Sequence, residues 1–194
     1  SCKFKQVTRI KDFSEDGLVF DIPNISFDDI AGHHKAKQRL HEVINFFKKP
    51  KLLESFNITP PKVMLLYGPP GTGKTMTASL LGKHTGRDVY RIDLSMVVSK
   101  YIGETEKNLS SLFNKAKNRD WILFFDEADA IFGKRTNVRD AHDKYANQEV
   151  SYLLQRIEAH PGLVILASNF KNNIDEAFTR RFSSIVEFVL PDYE

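Results

Sequence analysis

A five-residue apolar run leads directly into a glycine-rich segment, and this pairing constrains the fold more than any other feature of the sequence. The run is Val63 to Tyr67, and the segment after it, Gly68 to Thr75, reads Gly-Pro-Pro-Gly-Thr-Gly-Lys-Thr. Glycines let the backbone turn so that successive N–H groups point at phosphate oxygens, and the helix that follows presents its positive end. In this context Lys74 would reach the terminal phosphates, and the Thr75 hydroxyl would hold Mg²⁺. The sequence therefore predicts a phosphate-binding loop.

Apolar runs and helical spacings alternate along the rest of the chain. The further buried-strand candidates are Val89 to Asp93, Trp121 to Phe125, Leu163 to Ala167 and Ile185 to Val189. Apolar residues recur at helical spacing over Ile30 to Phe47, Glu104 to Lys117 and Tyr145 to Glu158. Uninterrupted apolar strands that alternate with helices predict an α/β fold with a parallel sheet covered on both faces. Ligands of such sheets bind at the carboxyl ends of the strands.

Polar residues dominate the first part of the chain. Between Lys3 and Pro23, short alternating pieces flank Asp16-Gly17, a pattern that predicts either a hairpin or an extended arm. We therefore expect residues 1–26 to form an N-terminal arm or linker and residues 27–194 to form one α/β unit. The single cysteine, Cys2, cannot form an internal disulfide, which favours a reducing compartment and hence a cytoplasmic location.

Composition and charge exclude several classes of protein. The hydrophobic fraction of 41% and the charged fraction of 27% are typical of a soluble globular domain. No apolar run approaches the roughly 18–20 residues that span a bilayer, so we expect no membrane segment. The net charge is +3, and Lys and Arg are spread without a dense basic block. A solvated mixed surface is therefore favoured over a surface that binds nucleic acid.

Two carboxylates follow another apolar run. Asp126 and Glu127 stand at the end of the predicted strand Trp121 to Phe125. Behind a phosphate loop, Asp126 would bind Mg²⁺ through water, and Glu127 would polarise the attacking water as a general base. The alternative is that both acids simply begin a helix, whose dipole favours negative charge there. The phosphate loop favours the first interpretation, and with it hydrolysis of ATP.

The next two candidates each allow two interpretations. Asn169 follows a predicted strand, where its amide would orient the water between Glu127 and the γ-phosphate or, taken alone, would be a turn residue. Arg180 and Arg181 close a predicted helix that starts at Ile174. Cations are favoured at that end by the helix dipole. The functional alternative is an arginine finger that acts on the nucleotide of a neighbouring subunit.

A short loop carries an aromatic residue between a predicted strand and a predicted helix. It runs from Lys100 to Glu104 and reads Lys-Tyr-Ile-Gly-Glu. Such an aromatic is ordinarily a packed anchor of the loop, and periodicity alone does not decide between that role and a functional one.

Taken in order, these segments resemble the AAA subgroup of AAA+ ATPases, from about Phe27 to Asp192. The resemblance implies a P-loop NTPase three-layer sandwich with a parallel central sheet. Phe27 to Gly32, which reads Phe-Asp-Asp-Ile-Ala-Gly, is similar to the family's entry motif, whose backbone lies against adenine. Gly68 to Thr75 resembles Walker A, and Ile122 to Glu127 resembles Walker B.

The resemblance also implies roles for individual residues. Contacts with ATP would come from Asp29, Ile30, Ala31, Pro70, Gly71, Thr72, Gly73, Lys74, Thr75 and Met76. Thr75 and Asp126 would be the Mg²⁺ ligands, and Asn169 would be sensor 1. Arg180 and Arg181 would supply the arginine finger. Tyr101 and Ile102 would belong to pore loop 1, whose aromatic grips a translocating polypeptide.

Three segments depart from the family pattern or extend it. The family often has a second arginine where this chain has Ser184. A helical lid follows the α/β unit in the family, and we expect it to be absent here; this chain should then bind nucleotide weakly, hydrolyse it slowly and be monomeric. Residues 132–147 resemble those of bacterial single-ring AAA proteins. His142 and Asp143 lie there without further ligands nearby, so a second pore loop or a subunit contact is favoured over a metal site.

The function implied by the resemblance is Mg²⁺-dependent hydrolysis of ATP that drives protein remodelling or unfolding by a ring-shaped oligomer of this chain, a hexamer in the full-length protein. A nucleotide-gated assembly scaffold is one alternative. A DNA-acting AAA+ loader is another, although the modest charge and the aromatic loop argue against nucleic acid. A small-molecule kinase is the weakest, because Glu127 and Asn169 suit the activation of water better than a bound acceptor.

Overall fold

The computed structural model describes residues 3–7, 19–21, 26–30, 34–49, 51, 55–57, 61–94, 104–129, 151–169 and 179–190. Its strands are β1 Lys3–Val7, β2 Val19–Asp21, β3 Val63–Tyr67, β4 Val89–Asp93, β5 Ile122–Asp126, β6 Val164–Ser168 and β7 Ser184–Glu187. Its helices are α1 His34–Lys48, α2 Lys74–Thr85, α3 Glu104–Lys117 and α4, described over residues 151–159. A short 3₁₀ helix covers Phe27–Asp29.

The described strands form one sheet in the order β2-β1-β4-β5-β6-β3-β7. Every neighbouring pair is parallel except β1 and β2, which are antiparallel. The predicted α/β class with a parallel central sheet is confirmed. Because β3 lies between β6 and β7, while β4 and β5 lie beyond β6, the chain crosses over at the carboxyl end of β3. A crossover of this kind opens a crevice in which α/β proteins bind ligands.

Helices cover both faces of the sheet and bury two apolar clusters. On one face, Leu109, Leu112 and Phe113 of α3 and Leu153 of α4 pack on strand residues that include Phe125. The cluster on the other face contains side chains of α1 and α2, with Leu40, Val43, Ile44, Ala78 and Leu81 among them, packed on Leu66 and Phe124 of the sheet. The central strands β3, β5 and β6 are buried at every position, which explains their unbroken apolar sequences.

The amphipathic pattern of α1 accounts for its position. Its buried residues Ala36, Leu40, Val43 and Ile44 recur at the four- and three-residue spacing of one helical face. The helix is described from His34, and Ile30, its expected start, instead ends the separate 3₁₀ turn Phe27–Asp29. That turn is closed by a capping box, in which the Asp29 carboxylate accepts the backbone N–H of Ser26 and the Ser26 hydroxyl accepts the backbone N–H of Asp28.

Most predicted elements match the observed ones closely. The expected strands at Val63 and Val89 and the expected helix Glu104–Lys117 have the observed bounds. The predicted helix from Tyr145 is described only from residue 151 onward. In the predicted arm, β1 and β2 pair antiparallel, as a hairpin would, and β1 also pairs with β4, so both strands extend the sheet.

Candidate nucleotide-binding site

The glycine-rich loop leaves the sheet between its two neighbouring strands. The N–H of Gly68 donates to the carbonyl of Ser168 on β6, and the N–H of Phe188 donates to the carbonyl of Tyr67 at 2.7 Å. Gly68 has φ +148°, and a Cβ there would lie 2.0 Å from the Phe188 carbonyl oxygen. Only glycine fits this close approach, so the first residue of the motif fixes where the loop starts.

Further along the loop, glycines turn the backbone into the start of α2. Gly71 and Gly73 have φ values of +77° and +93°, in the left-handed region that favours glycine. The Thr72 hydroxyl donates to the carbonyl of Pro69 at 2.8 Å and braces the turn. The first turn of α2 therefore begins directly at Lys74, with its unpaired N–H groups at the carboxyl edge of the sheet.

Lys74 folds back over the loop that precedes it. Its ammonium group donates to the carbonyls of Gly68 at 2.6 Å and Pro69 at 2.8 Å, and the residue is only 8% exposed. Burial lowers the pKa of Lys74, while the nearby carboxylates of Asp126 and Asp129 oppose that shift. A buried ammonium held by carbonyl oxygens in a phosphate-binding loop is placed to exchange them for phosphate oxygens.

The carboxylate of Asp126 lies at the end of β5 and is held on both sides. Its Oδ2 accepts hydrogen bonds from Arg91 Nε at 2.9 Å and Nη2 at 2.5 Å. Its Oδ1 accepts the N–H of Glu127 at 3.0 Å. Only 13% of the Asp126 side chain is exposed. The carboxylate predicted to bind Mg²⁺ therefore forms an ion pair with Arg91 in this structure.

Glu127 and Asn169 meet across the ends of β5 and β6. The Nδ2 atom of Asn169 lies 3.4 Å from Oε2 of Glu127, a long contact between exposed side chains. Glu127 has φ +54°, a left-handed conformation that is uncommon for a residue other than glycine. Strain of this kind persists where surrounding structure imposes it and is often found at functional sites.

Asp129 connects the segment after β5 to the end of β6. Its Oδ1 accepts the hydroxyl hydrogen of buried Ser168, and its Oδ2 accepts the backbone N–H of Asn169 at 2.9 Å. The N–H of Ala128 also donates to the carbonyl of Ala167 at 2.8 Å. These bonds fix the position of Asn169 relative to the segment that carries Glu127.

Negative charge is concentrated around Glu127. Burial raises the pKa of the Glu127 carboxyl, and the carboxylates of Asp126, Asp129 and Asp93 raise it further, while Lys74 lowers it. Carboxylates outnumber cations among the described groups that act on Glu127. A carboxylate whose pKa is raised is a stronger base than an isolated carboxylate.

Mg²⁺ fits the residues that the sequence predicts for it. This ion takes hard oxygen ligands and is usually bound by one or two carboxylates together with phosphates and water. Thr75, in the first turn of α2, and Asp126 offer a hydroxyl and a carboxylate, and the surplus of carboxylates leaves negative charge for a cation to offset. Within the described parts of the chain, no group of three or more His, Cys, Asp or Glu residues forms a metal site by itself. The donor set therefore fits an ion that arrives with a phosphate ligand.

The segment predicted to contact adenine lies against the phosphate loop. Ile30 is 3% exposed, and its Cγ2 is 4.0 Å from the position that a Cβ on Gly73 would take. Phe27 anchors the segment, because its ring stacks on His41 of α1 at 4.3 Å and lies 5.1 Å from the His84 ring of α2. Asp29, whose carboxylate accepts the backbone N–H of Ser26, is exposed. Ala31 lies outside the described residues.

The two candidate arginines differ in their surroundings. Nη1 of Arg181 lies 2.9 Å from Oε1 of Glu158 on α4, in a half-exposed ion pair. Arg180 is exposed, and no ion pair of its guanidinium is seen within the described residues. The two adjacent cations are therefore not equivalent.

Several predicted site residues lie outside the described part of the chain. These are Ala31, Tyr101, Ile102 and the whole of residues 132–147, including His142 and Asp143. The other predicted contacts with ATP occupy the loop and the first turn of α2: Pro70 is exposed, Thr72 is buried, and Thr75 and Met76 are half-buried.

Two residues at the site were missed by sequence reasoning. Asp129 stands three residues after Asp126, and its place at the same edge could have been found from the acid-rich Asp126-Glu127-Ala128-Asp129 segment. Arg91 had a signal as well: it is a cation inside an apolar strand, two residues before the end of β4, next to the strand that carries Asp126. Charged residues near the carboxyl ends of parallel strands are candidates for the site.

Comparisons with known proteins identify the family of this chain. The family described as "ATPase family associated with various cellular activities (AAA)" matches residues 64–190. The chain is 38% identical over 184 residues to the proteasome-activating nucleotidase of Pyrococcus abyssi (strain GE5 / Orsay), an alignment that covers 91% of this chain and 46% of that protein. It is 37% identical over 186 residues to the ATPase family gene 2 protein of Schizosaccharomyces pombe (strain 972 / ATCC 24843), with 92% of this chain and 23% of that protein covered.

A solved structure gives the same result for the fold. The FIGL-1 AAA domain in complex with ADP superposes with a TM-score of 0.71 at 31% identity, over 87% of this chain and 56% of that one. The chain spans less than half the length of the two curated relatives. No helix in the described ranges combines the length and apolar character needed to cross a membrane. Since the family match covers more than half of the sequence, the chain belongs to the AAA family of ATPases.

Proposed function

We propose that this chain binds ATP and hydrolyses it with the help of Mg²⁺. The observation that carries the proposal is the meeting of three strand ends: the glycine-rich loop after β3, Asp126 and Glu127 at the end of β5, and Asn169 after β6. A phosphate loop alone would support binding. A carboxylate of raised pKa beside a neutral amide, at the same edge of the sheet, supports activation of water.

Each side chain has a part in the proposed reaction. Lys74 would give up the carbonyls of the loop and bind the β- and γ-phosphates. Thr75 and Asp126 would hold Mg²⁺, which when bound supplies positive charge against the phosphate oxygens. Glu127 would take a proton from the attacking water, and the Asn169 amide would donate to that water and orient it. Asp29, Ile30 and Ala31 would lie against the adenine.

The difference between the two arginines supports a division of labour. We assign the finger that acts on a neighbouring subunit's nucleotide to Arg180, because Arg180 is exposed and forms no ion pair within the described residues, whereas Arg181 is paired with Glu158. Arg181 would anchor the segment to α4 through its ion pair with Glu158. An exposed cation that reaches a partner's nucleotide would stabilise the charge of the transition state, an effect of about 10³–10⁵ in rate in related phosphoryl transfers.

The cellular role extends the proposal to protein remodelling by a ring of this chain, a hexamer in the full-length protein. The similarity to a protein named as a proteasome-activating nucleotidase supports a protein substrate rather than a nucleic acid. Tyr101 and Ile102 would then form the loop that grips a polypeptide. A cytoplasmic location, predicted from the single cysteine, stays a prediction.

Release of phosphate from ATP tests the proposal directly. The chain should release phosphate with MgCl₂ and not with EDTA, and Asp126→Asn should abolish the effect of the metal. Binding of ATP without turnover, at any protein concentration, would favour the nucleotide-gated scaffold instead. Stimulation by double-stranded DNA, with affinity that falls steeply with salt, would favour a DNA-acting loader.

A further inference from the structure

Arg91 is a described residue at the site that the proposed reaction does not use. It projects from β4, where it pairs in register with Phe124, while Asp93 pairs with Asp126 two residues further along. To reach Asp126, the guanidinium extends along the face of the sheet towards its carboxyl edge. There it donates two hydrogen bonds, and both go to the same oxygen, Oδ2.

This geometry differs from the usual structural pairing of arginine with a carboxylate. In a bidentate pair the two N–H groups meet two oxygens and fix the plane of the carboxylate. Here the second oxygen, Oδ1, accepts the N–H of Glu127 instead. Arg91 therefore places its positive charge at Oδ2 alone.

The positive charge of Arg91 offsets the negative charge of Asp126, the proposed metal ligand, which lies among other carboxylates. Asp93, Asp126 and Asp129 all act on Glu127, and Lys74 is the cation that opposes them there. Two cations a few ångströms apart repel each other. A guanidinium on Oδ2 and a divalent ion on the same carboxylate therefore compete.

We propose that Arg91 is a stand-in cation for the metal: it neutralises Asp126 while the nucleotide site is empty and leaves Oδ2 when nucleotide binds with Mg²⁺. The inference rests on the proposed function, because it takes Asp126 as the carboxylate that holds Mg²⁺. Arg91 is a positioning residue and not a catalytic one, since its contact is with Asp126 and not with the phosphates. About a third of its side chain is exposed, which leaves the guanidinium room to move away.

The proposal predicts how the dependence of nucleotide binding on metal changes when the charge is removed. Without metal, the triphosphate would meet an unneutralised Asp126 in Arg91→Gln and bind more weakly than in the wild type. With Mg²⁺ present, the variant has no competing cation, so binding should be as tight or tighter. Both effects raise the ratio of the dissociation constant in EDTA to that in MgCl₂.

Calorimetric titration of the whole chain with the β,γ-imido analogue of ATP, in MgCl₂ and in EDTA, measures this ratio. In Arg91→Gln, and in Arg91→Met as a second neutral variant, the ratio should rise about tenfold, the size expected of a charge-assisted contact. Arg91→Lys, which keeps the charge, should stay near the wild type. Arg39→Gln is the matched control, because Arg39 forms a 2.9 Å ion pair with Glu42 on the surface of α1, and it should leave the ratio unchanged.

The outcomes separate the two proposals. A ratio that is unchanged or lower in the neutral variants would overturn the stand-in role, since it would mean that Arg91 helps Asp126 to hold the metal or does nothing. If the wild type itself did not bind the analogue in MgCl₂, the proposed function would fail first. Normal binding and turnover in the wild type, with no effect at Arg91, would overturn the stand-in role alone.

Discussion

The side-chain amide of Asn169 lies 3.4 Å from the carboxylate of Glu127, although the two residues are 42 positions apart in the sequence. They meet because β5 and β6 are neighbours in a parallel sheet and both end at the same edge. The amide is neutral, so it would not lower the basicity of the carboxylate as a cation would, and it can donate to the water that Glu127 is proposed to deprotonate.

Asp129 should matter for the rate of hydrolysis and not for binding. Asp129→Ala removes the acceptor of the Ser168 hydroxyl and of the Asn169 N–H, so the amide loses its fixed position. We expect kcat to fall about tenfold or more, the size of one or two lost buried hydrogen bonds. The nucleotide dissociation constant should stay within about threefold of the wild type. Steady-state kinetics together with a nucleotide titration measure both.

Asp129→Asn serves as the conservative companion, because an amide oxygen can still accept one of the two hydrogen bonds. Its kcat should lie between those of Asp129→Ala and the wild type. An equal loss of binding and of turnover in both variants would show that Asp129 only supports the fold.

Lys74 should be essential for binding. Lys74→Ala removes a buried ammonium group that now donates to carbonyls of the loop and would donate to the phosphates when ATP binds. The affinity for ATP should fall about a hundredfold or more, as expected for the loss of two charge-assisted contacts. Lys83→Ala is the matched control, since Lys83 is exposed at the other end of α2. Equal affinities of the two variants would contradict the placement of the phosphates at Lys74.

Arg180 and Arg181 should respond differently to substitution. Arg180→Ala should remove any rise in specific activity with protein concentration, because the proposed finger would act between subunits, and it should leave thermal stability unchanged. Arg181→Ala breaks the half-exposed pair with Glu158, so its main effect should be a small loss of stability, about 0.5 kcal/mol. Turnover against concentration and thermal melts distinguish the two; the reverse pattern would assign the finger to Arg181.

His160 should make the fold sensitive to acid. It is 3% exposed, and its Nε2 has no hydrogen-bond partner among the residues that the structure describes. Burial first, and then Arg156, lowers its pKa from 6.5 to about 4. The pKa of His160 is lower in the folded state than in the unfolded state, so the unfolded state binds the proton first as the pH falls. The stability that comes from burying the neutral imidazole is therefore complete above pH 6.5 and is lost as the pH falls towards 4. The loss should reach at most about 3 kcal/mol by pH 4. Chemical denaturation at several pH values measures it.

His160→Gln keeps a polar side chain that does not titrate in this range. Its free energy of unfolding should therefore vary less between pH 6.5 and pH 4 than that of the wild type. His34→Gln, at an exposed position of α1, should keep the wild-type dependence. A variant at His160 that lost stability with acid as steeply as the wild type would exclude burial of this imidazole as the cause.

Local sequence was sufficient to predict the central strands of the sheet. Strands that are buried on both faces are apolar, so Val63–Tyr67 and the run from Trp121 to Phe125 could be recognised, the second of which is observed as Ile122–Asp126. The glycines of the loop are required by its backbone. Asp126, Glu127 and Asn169 could be placed at one edge because each follows such a strand.

Contacts that depend on strand order could not be predicted in the same way. Arg91 reaches Asp126 only because β4 is the neighbour of β5, and Asp129 binds Ser168 only because β6 lies on the other side. Sequence spacing gives no measure of these distances. The pairing of Arg181 with Glu158 is likewise set by how α4 packs, which distinguishes two arginines that the sequence presents as equals.

Comparison of binding and turnover in Glu127→Gln is the most direct test of the central claim. The glutamine keeps the shape of the side chain and the contact with Asn169 but cannot accept a proton from water. We predict that ATP binds with Mg²⁺ within about threefold of the wild-type affinity, and that turnover falls about a hundredfold or more, as expected for loss of a general base. Turnover close to that of the wild type would contradict the assignment of Glu127 as the base.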